Sequence, residues 1–127
     1  MTQTRPDAHH LRITPSDVHV RITREGVELA VTTRAVLLQE GSLPTRYYVP
    51  RDDVRMELLT PTDASSHCPF KGDASYWSVE GAPDIAWTYE TPIPGAALIA
   101  GLVCFYNEKV DVEVDGQPQE RPKTRWS

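Results

Sequence analysis

Cysteine is scarce: Cys68 and Cys104 are the only two thiols in the chain. Two isolated cysteines cannot build a disulfide framework or a Cys-rich zinc site, so free thiols in a reducing, cytoplasmic setting are expected. Basic residues are also in deficit, 13 Lys plus Arg against 18 Asp plus Glu, for a formal net charge of −5. Non-specific nucleic-acid binding needs the opposite balance and is not expected. No apolar run approaches the roughly 18 residues of a membrane span, and the N-terminus is polar rather than signal-like. Glycine-rich cradles are missing too. The step Lys71-Gly72 has the reverse order of the Gly-Lys-Ser/Thr in a phosphate loop.

What is present suffices for one domain. The chain has 127 residues, 39% hydrophobic and 24% charged, close to globular norms. Residues 1–15 lack periodicity and read as a mobile arm, with His9 and His10 solvated rather than metal-bound. From Asp17 the pattern has period two. Val18, Val20 and Ile22 alternate with His19, Arg21 and Thr23, and after Arg24-Glu25-Gly26 so do Val27, Leu29 and Val31. This predicts a β-hairpin. Further strands are expected at Tyr47–Val49, Ala74–Val79, Ile85–Tyr89, Leu102–Tyr106 and Val110–Val114, while Ala35–Leu38 is an apolar run too short to separate a buried strand from a helical turn. Short helical turns are expected at Arg51–Val54 and Ala96–Ala100, each with a proline at its start. Thr60-Pro61-Thr62-Asp63 reads as a turn. The predicted fold is all-β, mainly antiparallel, with seven or eight strands over residues 16–116 and one or two short helices. Residues 117–127 read as a polar tail that Trp126 docks.

The chemistry concentrates between Ser66 and Trp77, which hold an imidazole, a thiol, an ammonium, a carboxylate and two large aromatics. His67 and Cys68 are neighbours. In an extended strand they face opposite ways, so they do not form a dyad, and Cys68 reads as a small buried hydrophobe. His67 and Lys71 flank the bend at Pro69; with Arg51 they form a candidate cluster for a phosphate or carboxylate. The competing reading pairs Arg51 with Asp52, Asp53 or Asp73 and lays the Lys71 stem over an aromatic ring. Trp77, Trp87 and Phe105 are assigned to the core, and Tyr47, Tyr76 and Tyr106 to a cleft wall, with buried structural tyrosines as the alternative. Asp111, Glu113 and Asp115 share one strand face, read as solvated rather than metal-binding.

In order and spacing, Tyr47-Tyr48-Val49-Pro50-Arg51-Asp52-Asp53-Val54, His67-Cys68-Pro69-Phe70-Lys71-Gly72, Tyr76-Trp77, Ala86-Trp87 and the segment Gly101 to Tyr106 resemble the bacterial family named domain of unknown function 427. That family also carries the label nucleotidyltransferase-like. The resemblance implies a compact, β-rich, tent-like fold and no particular mechanism. The label is not supported by the residues: Asp52-Asp53 are adjacent, whereas two-metal nucleotidyl transfer uses a spaced Asp-x-Asp. Zinc proteins of similar tent architecture use paired Cys-x-x-Cys knuckles, which this chain lacks, so no zinc and no cofactor are expected. The leading functional expectation is one site for a small anionic molecule, lined by Arg51, His67, Lys71, Tyr47 and Tyr76, with no nucleic-acid or membrane partner and no assigned catalytic residue. A protein-interaction module is the alternative, and nucleotidyl transfer a third reading resting on the label.

Overall fold

The computed structural model describes residues 11–127. The fold is mainly antiparallel β, in two sheets. The larger has seven strands: β1 Leu11–Pro15, β4 Val36–Glu40, β5 Arg46–Val49, β6 Thr60–Cys68, β7 Gly72–Val79, β8 Ala82–Thr88 and β9 Val103–Phe105, ordered β1-β4-β5-β9-β8-β7-β6. The smaller has four: β2 Val20–Arg24, β3 Val27–Thr32, β10 Asp111–Val114 and β11 Gln117–Pro118, ordered β11-β10-β2-β3. Both expected helical turns are present as 3-10 turns, at Arg51–Asp53 and Pro94–Ile99, with another at Met56–Leu58. Among the described residues no helix is long and apolar enough to cross a membrane.

The β2/β3 hairpin turns at Glu25 and Gly26, whose φ values of 50° and 82° suit the tight turn that matches strand twist. Three strands escaped the pattern reading. Leu11–Pro15, placed by that reading in the arm, pairs with β4 from Leu11↔Glu40 to Pro15↔Val36; the arm's other residues, with His9 and His10, lie outside the described residues. Thr60-Pro61-Thr62-Asp63 is not a turn between elements but the start of β6. Its turn chemistry goes into an irregularity between Pro61 and Ser65, where the Ala64 N–H donates to Thr62 Oγ1. Gln117–Pro118 returns along β10.

Strand alternation splits the hydrophobic residues into two cores. Val20, Ile22, Leu29 and Val112 of the small sheet meet Val49, Trp77, Ile85, Val103 and Phe105 of the large one. Their neighbours in sequence, Tyr48, Trp87 and Cys104, belong to a second core on the other face, with Val36, Leu38, Tyr89, Ala96 and Ile99. That second face is covered not by another sheet but by the Pro94–Ile99 turn and, elsewhere, by a cavity.

Gly72 joins the β6/β7 hairpin to this cover. Its φ is +125°, and a Cβ built there would sit 3.2 Å from Pro92 Cα, while the Ile93 N–H donates to the Lys71 carbonyl at 2.9 Å. Gly72→Ala must therefore both strain the backbone and push the Thr91–Ile93 segment away. It is expected to cost about 1–3 kcal/mol of stability; a denaturant midpoint equal to the parent's would refute the close-approach reading.

Candidate functional site

The second face of the large sheet holds a cavity of about 350 Å³. Its floor comes from Leu38 of β4, Tyr48 of β5, Tyr76 of β7 and Trp87 of β8; Tyr89 and Tyr106 extend it. Ser66, His67, Cys68 and Lys71 bring the β6/β7 hairpin to one side, and Arg125 with Trp126 closes another. The aromatics touch one another. Trp87 and Tyr106 have centroids 4.5 Å apart, Tyr76 tilts against Trp87 at 6.5 Å, and the Trp87 indole N–H donates to the Tyr48 hydroxyl at 3.0 Å. Trp126 docks the tail by stacking on Tyr106 at 6.3 Å.

A buried ion pair anchors this wall. Arg46 Nη1 and Nη2 donate to Glu108 Oε1 and Oε2 at 2.6 and 3.0 Å, and Arg46 also bonds Asn107. The Thr124 hydroxyl caps Glu108 at 2.6 Å. The guanidinium carbon lies 5.5 Å from the Trp87 and Tyr106 rings and 5.7 Å from Trp126, so one cation holds three aromatic faces. Burial works against both charges, but the bonds between the two groups outweigh it: the Arg46 pKa is raised and the Glu108 pKa lowered. Burial likewise raises the Tyr48, Tyr89 and Tyr106 hydroxyls, with neighbouring acids and phenols adding to it, so these phenols stay neutral. Cys104, fully buried, is pushed up to about 12 by burial and is an inert thiol.

The expected site residues divide. His67, Lys71 and Tyr76 line the cavity. Arg51 and Tyr47 do not, which corrects the expected convergence. Tyr47 follows strand parity to the opposite face, against the core between the sheets, while Tyr48 takes the cavity. Arg51 starts a 3-10 turn, pairs with Glu90, and lies 5.0 Å over Trp77. None of Asp52, Asp53 or Asp73 is its partner; Asp53 takes Thr32 and Arg34.

Lys71 lies by an aromatic ring, as the competing reading expects, and it also has a carboxylate partner. Its ammonium donates to Glu40 Oε1 at 2.7 Å and lies 5.8 Å from the Tyr89 ring, both side chains of the pair being largely buried. His67 Nδ1 lies 2.7 Å from Asp73 Oδ1, its direct cross-strand partner, in an exposed position. The Tyr76 hydroxyl shares a 2.9 Å bond with Ser66. The acids of β10 are engaged: Asp111 by Arg121, Glu113 by Arg21, and Asp115 by the His19 backbone N–H. Among the described residues no group of three or more His, Cys, Asp or Glu could hold a metal ion.

Sequence reasoning missed Arg46, Tyr48, Tyr89, Glu108 and Arg125 as site residues. Parity held the clue for one of them: Arg46 must share a face with Tyr48, two residues on. Nothing local marks Glu108, which looks like a turn residue and is buried only because Arg46 reaches it across 62 positions.

Removing one partner of a buried pair leaves the other's charge unmet. Glu108→Gln is expected to destabilise the fold by about 3 kcal/mol at neutral pH. Because the folded Glu108 pKa lies below its unfolded value, its stabilisation is present above the usual carboxylate range of about 4.3 and lost as pH falls through the folded value. The stability gap between parent and variant should therefore narrow on acidification. A gap independent of pH, measured by urea unfolding between neutral and acidic buffers, would remove the pair from this role.

Comparison with known proteins sets this geometry in a lineage. No curated protein matches the sequence. The family described as a domain of unknown function (DUF427) matches residues 12–116, which include every strand of both sheets except the start of β1 and all of β11. On that match over most of its length, the chain belongs to the DUF427 family.

Proposed function

We propose that this β-domain binds a small planar molecule carrying an anionic group, with the ring seated in the aromatic cavity. The carrying observation is the cavity itself: about 350 Å³ walled by Tyr48, Tyr76, Trp87, Tyr106 and Trp126. That volume is near the lower end of small-molecule sites, which typically begin at about 300 Å³. Concave aromatic surface stacks flat rings and rejects branched ones.

The charge pattern refines the ligand. Arg46 is matched by Glu108 and Lys71 by Glu40, so the floor around these pairs suits an uncharged ring, and Arg125 is a cation of the lining without an ion pair. Lys71 has three N–H donors and gives one to Glu40, which leaves donors for a ligand oxygen at the rim. A group with a single negative charge fits there better than a phosphate dianion, because Glu40 repels it as well.

The other readings have less support. As a strand-addition module the domain would need an open, flat edge. Of the two edges of the large sheet, β6 carries Pro61, Asp63 and a register irregularity, features that disfavour pairing along it. Nucleotidyl transfer by metal-held carboxylates draws nothing from Asp52-Asp53, since Asp53 is committed to Thr32 and Arg34. The reading is one of binding, with no reaction assigned.

A pair of tyrosine variants tests it. A panel of small aromatic acids (benzoate, naphthoates, indole carboxylates) should include members that raise the melting temperature of the parent. Tyr76→Ala should weaken their binding about tenfold, the loss of one aromatic wall contact and its polar tip. Tyr47→Ala, on the opposite face, should lower stability and leave the affinity alone. If no panel member shifts the melt, or if both variants lose affinity equally, the cavity is not the ligand site.

A further inference from the structure

A second, shallower cavity of about 450 Å³ adjoins the first. Tyr76, Tyr106, Arg125 and Trp126 line both, so the two share a wall made of two strand tyrosines and the C-terminal segment. Trp126 is held in that wall by stacking on Tyr106 and by its backbone N–H, which donates to Thr124 Oγ1 at 3.1 Å.

The two cavities differ in charge. In the first, Arg46, Lys71 and His67 each have a carboxylate within ion-pair distance. Arg125 lines both cavities and Lys109 the second alone, and neither forms an ion pair with any described carboxylate. Both instead rest against aromatic faces, Lys109 Nζ 5.7 Å from the Tyr106 ring and the Arg125 guanidinium 4.5 Å from Trp126. The acid lining that cavity, Asp84, makes no ion pair with them; its backbone N–H is taken by the Ser78 hydroxyl at 2.9 Å. Ser65 adds a hydroxyl to the same lining. A cation resting on an aromatic face keeps most of its N–H donors for another partner.

We infer that the site is bipartite: the ring of the ligand occupies the aromatic cavity, and a tethered carboxylate crosses beside Trp126 to Lys109 and Arg125. This rests on the reading of the aromatic cavity as a ligand site. It adds the class of ligand, an aromatic acid whose carboxylate stands several bonds from its ring. An acid with its carboxylate directly on the ring would be confined to the first cavity and could not reach Lys109, which lines the second alone. Trp126 becomes the selecting residue, since it sets the width of the passage between the halves.

Three probes sharing one ring test it: indole, indole-3-butanoate and the uncharged indole-3-butanamide, each titrated by calorimetry into the full chain. The acid is expected to bind about tenfold more tightly than the amide, the worth of one charge-assisted contact set. In the double variant Lys109→Ala, Arg125→Ala that ratio should fall to about one. In Arg51→Ala, which removes a cation remote from both cavities, it should persist. Added salt should reduce the ratio in the parent. Equal binding of acid and amide by the parent, with indole still binding, would overturn the bipartite site and leave the aromatic cavity standing. A ratio that survives the double variant would overturn it as well, and saturation by none of the three probes would sink both readings.

Discussion

A pleated strand sends neighbouring side chains to opposite faces, and the large sheet depends on that constraint in four adjacent strands. Tyr48 and Val49, Tyr76 and Trp77, Ala86 and Trp87, and Cys104 and Phe105 each divide between the two cores. On one face Val49, Trp77, Ala86 and Phe105 pack with Val20, Ile22, Leu29 and Val112 and form the core between the sheets. On the other face the large aromatics cannot all be covered by the short Pro94–Ile99 turn. They cover one another, and the uneven remainder is the cavity. The site is thus a consequence of placing bulky rings on the face without a second sheet.

Such a face would be an open apolar patch without a polar brace. Arg46 supplies it. One guanidinium meets Glu108 in the plane of its fork and three aromatic rings across its faces. Asn107 links it back to the Thr45 carbonyl, and Thr124 ties Glu108 to the C-terminal segment. The tail residues that close the cavity are therefore held by the same charge pair that orders its floor. A weak surface pair could not do this; the strength comes from exclusion of water, Glu108 having no exposed side-chain surface.

The charge pattern also explains why the expected cluster of Arg51, His67 and Lys71 does not form. Arg51, His67 and Lys71 each carry a carboxylate partner from elsewhere in the chain: Glu90, Asp73 and Glu40. Cations in a net acidic protein are captured first by its own acids. Lys109 and Arg125, beside Trp126 in the lining of the second cavity, form no ion pair with a described carboxylate.

Much of the fold was legible locally. Period-two alternation marks β2 and β10 because each has one buried and one more exposed face, and Glu25-Gly26 marks the turn between β2 and β3. The edge strand β6 was illegible for the converse reason: with little buried surface, Thr60 to Cys68 has no apolar rhythm, and only its backbone bonds to β7 make it a strand. The stretch from Ser66 to Trp77 could be recognised as chemically dense, and it does supply His67, Cys68, Lys71 and Tyr76 to the cavity. Which member of Tyr47-Tyr48 faces the cavity was not legible, because parity is absolute only once the sheet's covered face is known. Local sequence by itself determined where chain reversals and half-buried strands fall, since both follow from side-chain size, polarity and allowed φ. Ion-pair partners were decided only by the tertiary structure: Arg46 meets Glu108 and Lys71 meets Glu40 across 62 and 31 positions, and no local rule carries charge complementarity that far.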